Sequence, residues 1–250
     1  MFEALFQKLE RFTALPREEK RALEASPFRL KEYRRREDVV QQGQLVSESC
    51  LILEGLAGRF KVLPEGTRQI LSFELPGDFA DIHSIYLKTM DHGLQALAAC
   101  RVAMFPHVVM MKLMDTCPNL DRALSHDLAV DAAIQREWMV GLGRRSAYQQ
   151  IAHLLCELLI RLRSVGLAGE NSYELPVTQA DLGDAFGIST VHVNRTLQKL
   201  RSEGLMTLKG NLLTILNLRA LKAAAGFDPT YLEWTGVGSG QGAVNVIGVA

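Results

Sequence analysis

Signatures of catalysis, export and cysteine-based metal binding are missing from this sequence. Only four of its 250 residues are cysteine (Cys50, Cys100, Cys117 and Cys156), and no two form a C-x-x-C pair. That spacing supports neither a disulfide framework nor zinc or iron–sulfur ligation by cysteine, and it fits a reduced, cytoplasmic chain. No apolar run approaches the ~20 residues a bilayer span needs. The N-terminal "MFEALFQKLERF" mixes charges and lacks the basic start and apolar core of a secretion signal, so no membrane partner is expected. Net charge is absent too: 28 basic residues face 28 acidic ones, and the total points to no polyanion. No P-loop, Ser/His/Asp set or paired carboxylates stand out, and the chain reads as a non-enzyme. A cupin-type β-roll enzyme would need two histidines on one strand with a carboxylate nearby, and "DIHSIY" and "MDHG" offer only scattered ligands.

What is present is a change of texture along the chain. Residues 1–30 repeat apolar positions at three or four (Leu5, Leu9, Phe12, Leu15), with Pro16 and Pro27 as interruptions. From Lys31 to about residue 110, short apolar or alternating runs are punctuated by glycine, the rhythm of antiparallel strands in a small β-roll or barrel. After Pro118 the period becomes helical. Leu124, Leu128, Ile134, Trp138 and Leu142 trace one drifting face, which predicts a long helix pairing with its own copy in a homodimer. "GLGRRS" marks a hinge near Gly141–Arg145, and another helix follows over roughly Tyr148–Arg163. From Gly141 to Lys222 ten Lys/Arg stand against six Asp/Glu, a local excess that suits a polyanion partner.

The sharpest signal is "TQADLGDAFGISTVHVNRTLQKLRSEGL", Thr178–Leu205. Thr178 and Asp181 predict a capping box. Leu182 and Phe186 anchor a first helix, Gly183 permits close crossing, and Gly187 ends the helix in a left-handed conformation. Ser189 predicts the N-cap of a second helix, Thr190–Leu200, with Val193, Leu197 and Leu200 inward. This is the helix-turn-helix arrangement, whose second helix enters the major groove of double-stranded DNA. Arg195 suits guanine, Asn194 or His192 base edges, and Val191 a thymine methyl. Thr178, Lys199 and Arg201 suit phosphates. Ser189, Thr190 and Gln198 complete the expected DNA face. A following hairpin about Lys209-Gly210-Asn211 predicts a wing with Lys209 at its tip.

In this order the β-roll with "LILEGLAGRF" and "LPGDF", the helix after "CPNL", and the terminal "VTQADLGDAFGISTVHVNRTLQKLRSEGLM" resemble the Crp/Fnr superfamily of transcription regulators, over roughly Phe6–Leu221. "VHVNR" resembles one subgroup. The resemblance implies an α+β chain. Residues 1–115 would form a cyclic-nucleotide-binding-type β-roll with N-terminal helices, 116–142 a dimerisation helix, and 143–222 a winged helix-turn-helix. The Gly-rich stretch 235–250 is expected to be a disordered tail. The resemblance also implies a homodimer on a near-palindromic operator, with RNA polymerase as a partner. Departures from the family speak against cyclic AMP as the effector. Ile82 stands where those relatives carry a glutamate for the ribose, and the matching stretch "MDHGLQALAACRV" has no arginine before Arg101 to hold the cyclic phosphate. A buried phosphate without its arginine would be unpaired. The N-terminal cysteine group of iron–sulfur relatives is also missing, and no cofactor is expected. A cyclic-nucleotide- or haem-responsive sensor is the rival reading. His83 and His92 are read as surface or strand-turn histidines, because a lone histidine is no axial-ligand signature. Cys156 reads as a small buried hydrophobe rather than a redox switch.

Overall fold

A computed structural model describes residues 1–87 and 89–233. The expected tail at 235–250 lies outside the described residues. Two short helices open the chain, α1 (Glu3–Leu9) and α2 (Arg17–Glu24), the second starting directly after Pro16. Proline is favourable there because its missing N–H and fixed φ do no harm at a helix start.

Seven strands then build the roll: β1 (Arg29–Tyr33), β2 (Asp38–Val40), β3 (Glu48–Glu54), β4 (Ala57–Val62), β5 (Arg68–Glu74), β6 (Gly93–Ala96) and β7 (Cys100–Pro106). They form two antiparallel sheets, in the orders β1-β7-β3 and β2-β6-β4-β5. Ile52, Ala57, Leu94, Ala96, Val102 and Met104 fill the space between the sheets. β3, β4 and β7 bury consecutive residues and so both faces, one against the facing sheet and the other under the helices, where Leu51, Ala103 and Phe105 pack with α1. "LPEGTRQ" is the β4–β5 turn, as its glycine and polar residues predict.

Helix α3 (His107–Thr116) leads into α4 (Pro118–Arg144), and α5 (Ala147–Ser164) follows at once. The break between them is at Arg145, which is extended (φ −90°, ψ 144°), while Gly141 and Gly143 remain inside α4. Ser146 then caps α5 in a reciprocal box with Gln149. The hinge expected across Gly141–Arg145 is thus confined to its last residue. The glycines tolerate helix, whereas Ser146, extended as an N-cap is (φ −66°, ψ 158°), begins the next one.

A chain of buried charges joins roll and helices. The Asp78 carboxylate accepts from Lys8 Nζ at 2.6 Å, from Arg161 Nη2 at 2.8 Å and from the Leu75 N–H at 2.7 Å. Burial alone would raise this carboxyl, but Lys8 and Arg161 outweigh it and hold it at about 2. Lys8 also reaches Asp127 on α4. Arg59 bonds Asp131 at 2.7 Å and the Ala80 carbonyl at 2.7 Å, and lies 3.2 Å from Glu74. Buried ions of this kind persist only when paired and hydrogen-bonded. Asp78, within "LPGDF", therefore ties α1 and α5 to the roll.

The last elements are β8 (Ser172–Glu174), α6 (Gln179–Phe186), α7 (Thr190–Ser202), β9 (Met206–Lys209), β10 (Leu212–Ile215) and α8 (Leu218–Ala225). Strand β8, too short to be predicted from its sequence, pairs with β10 to give the order β8-β10-β9. The chain continues past the expected domain limit at 222. Arg11 donates to the Leu232 carbonyl at 2.7 Å, and Tyr231 donates to Glu157 at 2.8 Å. The C-terminal segment thus returns to the N-terminal helices.

The predicted self-pairing stripe on α4 needs correction. Leu124, Ile134 and Trp138 are buried within their own chain, Leu128 is half-buried, and only Leu142 is exposed. Trp138 packs edge-on to Phe73 of the roll, and its indole N–H donates to Glu157. Apolar periodicity identifies a buried face without saying whether the burying partner is the same chain or another. The solvent side of α4 instead carries Arg122, Ser125, Ala129, Ala132, Arg136, Met139 and Gly143.

Candidate nucleic-acid interface

The helix-turn-helix forms as the local sequence dictates. Thr178 Oγ1 accepts from the Asp181 N–H at 3.1 Å, and the Thr178 N–H donates to Asp181 Oδ2 at 2.9 Å. Gly187 is left-handed (φ 65°) and closes α6. A Cβ on Gly183 would sit 2.7 Å from the Ile188 carbonyl oxygen, so only glycine lets the turn cross this closely. Ser189 then caps α7, its hydroxyl accepting from the His192 N–H at 3.2 Å.

Helix α7 divides cleanly into two faces. Val193, Thr196, Leu197 and Leu200 are buried against α5 and α6. Thr190, Val191, His192, Arg195, Gln198 and Lys199 are exposed. Val191 keeps 59% of its surface in water, a high value for an apolar residue on an otherwise well-packed helix. A β-branched side chain held at the first turn of a capped helix is rigid, and its apolar surface is suited to contact a thymine methyl.

Other predicted contacts have structural duties. The Thr178 hydroxyl donates to Asp181 at 2.6 Å while its oxygen caps α6, so the side chain serves the box rather than a free phosphate site. Ser189 Oγ is likewise engaged as a cap. Asn194 is half-buried and donates to Gln179 Oε1 at 3.3 Å, which turns it toward α6. Lys199 Nζ lies 4.8 Å from the Tyr148 ring centroid and 3.9 Å from Glu203 Oε1. Both contacts are weak at an exposed site and leave the ammonium free to swing to a phosphate. Lys209 ends β9 and is exposed at the wing turn, with Gly210 left-handed beside it. Arg201 is exposed on the last turn of α7.

One neighbour escaped the sequence reading. Ser146, Ala147 and Tyr148, at the start of α5, line a groove together with Ser189, Val191, His192, Arg195 and Lys199. Tyr148 is held by a hydrogen bond from its hydroxyl to Glu203. The capping pair Ser146/Gln149 was a local signal that α5 begins here. Its place beside α7 depends on how α5 packs.

All four cysteines are buried and free. Burial pushes the Cys156 thiol up to about 12, which keeps it protonated and inert and agrees with a small core side chain.

Two domain models match the chain in series. Residues 30–117 match the cyclic nucleotide-binding domain, and residues 149–224 match the Crp-like helix-turn-helix domain. The nitrogen fixation regulation protein FixK of Bradyrhizobium diazoefficiens is 29% identical over 190 residues, 76% of this chain and 78% of that protein. The transcriptional activatory protein AadR of Rhodopseudomonas palustris is 26% identical over 198 residues, 77% of this chain and 80% of that protein. Among solved structures, FixK2 from Bradyrhizobium japonicum superposes with a TM-score of 0.68 at 22% identity, over 79% of this chain and 97% of that one. Roll, joining helix and winged domain thus recur in the same order in known regulators, and the chain belongs to the Crp/Fnr superfamily of DNA-binding transcription regulators, not to a family of enzymes.

Proposed function

We propose that the chain is a cytoplasmic, sequence-specific regulator that reads a near-palindromic operator as a homodimer, with RNA polymerase as its further partner. The observation that carries this reading is the exposed set Thr190, Val191, His192, Arg195 and Gln198 on the first turns of a firmly seated α7. Base reading needs side chains free of the body on a helix that is not. Pairing through α4 is supported by the solvent stripe Arg122, Ser125, Ala129, Ala132, Arg136, Met139 and Gly143, spaced three and four throughout. That spacing matches the repeat of a left-handed coiled coil, and Ser125, Ala129, Ala132 and Gly143 are small enough to permit close approach. Two copies then present their recognition helices about one turn of DNA apart, ~34 Å.

Cyclic AMP and an iron–sulfur cluster have no part in this reading. Ile82 is buried where a ribose-binding carboxylate would be needed, Arg101 is paired with Glu54, and Arg59 with Asp131. Cys50, Cys100 and Cys156 sit buried in β3, β7 and α5, and Cys117 is buried in the link between α3 and α4.

Selection of bound duplexes from random DNA, with and without a cell-extract metabolite pool, tests the reading. The expected result is an enriched two-fold symmetric motif. Failure to enrich any motif at low ionic strength overturns it. A motif enriched only with the pool identifies an effector-dependent regulator.

A further inference from the structure

Three side chains that the regulator reading does not use come together at the edge of the β-roll. His83 lies in a 3-10 turn, Ile82–Ile85, shortly after "LPGDF". Asp91 and His92 immediately precede β6. Eight residues separate the two histidines in sequence, yet their rings face each other with centroids 5.2 Å apart at 63°. One ligand atom from each of His83, Asp91 and His92 lies within 4.8 Å of the other two.

The hydrogen-bond inventory of these residues is abnormal. His92 is only 5% exposed, yet neither of its ring nitrogens has a hydrogen-bond partner. Nε2 of His83 is buried and unpartnered as well. Buried polar side chains are almost always satisfied, and a pair of facing imidazoles that are not calls for an explanation. His92 Nε2 lies 4.0 Å from Asp91 Oδ1, too far for a hydrogen bond. Ligands ~2.1 Å from a tetrahedral ion are ~3.4 Å apart, so closure needs a shift of roughly an ångström. Asp91 is exposed and His83 half-buried, so both side chains have room to make it.

We propose that His83, Asp91 and His92 bind one borderline transition-metal dication of the zinc, cobalt or nickel class. Two imidazoles and one carboxylate select that class, since calcium and magnesium prefer oxygen alone. Neither ring nitrogen of His92 nor Nε2 of His83 has a protein partner, so these nitrogens are open to an ion. Two cations oppose the ion. The first is Arg59, whose guanidinium is already engaged by Asp131 at 2.7 Å and lies 3.2 Å from Glu74. Lys61 contacts Asp91 at 3.4 Å in an exposed pair that a dication displaces readily.

The test uses the full chain after treatment with a chelator, titrated with Co²⁺ while its visible ligand-field absorption is recorded, then with Zn²⁺ as competitor. One Co²⁺ per chain is expected, displaced by Zn²⁺. His83→Ala and Asp91→Asn should each weaken binding by at least ~10-fold, since even outer-sphere changes at such sites reach that size. His126→Ala, at the separate pair with Glu233, should leave it unchanged. Both informative variants alter side chains that are not fully buried, and unchanged far-UV circular dichroism verifies their fold. Absence of stoichiometric absorption overturns the site, as does absorption indifferent to His83→Ala and Asp91→Asn. A His83-dependent Soret band with added haemin, without Co²⁺ binding, would replace the ion by a haem. No DNA enters the assay, so its failure leaves the operator reading untouched.

Discussion

Arg68 Nη2 lies 2.9 Å from Asp181 Oδ1, and this contact locks the helix-turn-helix against the β-roll. Asp181 is also the acidic member of the α6 capping box, so one carboxylate both starts the helix and docks it. Arg68 Nε holds Asp184 at 2.8 Å, Arg35 reaches Asp181 from the other side at 2.9 Å, and Gln69 donates to the Ala185 carbonyl. Burial would raise the Asp181 carboxyl, but the Thr178 and Arg68 contacts outweigh it and lower it.

Arg68→Ala should therefore loosen domain docking while leaving each domain folded. We expect faster amide exchange over residues 178–186 and 68–74 and a stability loss of about 1–3 kcal/mol, the usual size for a part-buried charged contact. Exchange unchanged in both segments would mean that apolar packing alone sets the domain arrangement.

Arg195→Ala should lose ~1–3 kcal/mol of affinity for the selected operator and relax preference at one base position. The comparison that decides is with random DNA, since equal weakening on both would make Arg195 a phosphate contact.

Lys199→Ala should weaken operator and random DNA alike and reduce the salt slope by about one unit. An unaltered slope in a salt titration would leave Lys199 as the partner of Tyr148 and Glu203 alone.

The solvent stripe on α4 predicts that Ala132→Glu with Met139→Glu yields monomers by light scattering, with the thermal transition of each chain little changed. Trp138→Glu should instead unfold the junction, because Trp138 lies against Phe73 and Glu157 inside the chain. Intact dimers in the double variant would move the interface away from α4.

His153 is buried between Phe227 and Tyr231, and burial with nearby Arg145 lowers it to about 4. In the unfolded chain it protonates near 6.5, so between about 6.5 and 4 the unfolded state binds the extra proton. Stability from this residue is complete above 6.5 and is lost as pH falls. His153→Gln should thus be less harmful at pH 5 than at pH 7.5, by about 1–2 kcal/mol. Equal stability differences at the two pH values in urea titrations would contradict the shift.

The helix-turn-helix was legible because its signals are local. Capping by Thr178 and Ser189 and the steric freedom of Gly183 and Gly187 each act within a few residues of themselves. β8 was missed because "NSYELP" is too short to show alternation, and its strand character comes from β10 beside it. The exposed side of α7 was legible from its spacing, but Thr178, Ser189 and Asn194 have hydrogen bonds that only the folded turn supplies.

What the sequence alone determined is the order of elements and the module that meets DNA, since caps, turns and short apolar periods depend on near neighbours. Tertiary structure alone decided which side of α4 remains open, how Arg68 fastens α6 to the roll, and that His83 and His92 face each other. Each of those relationships joins residues whose separation along the chain carries no trace of their closeness in space, because it is chain closure by packing, not local propensity, that brings them together.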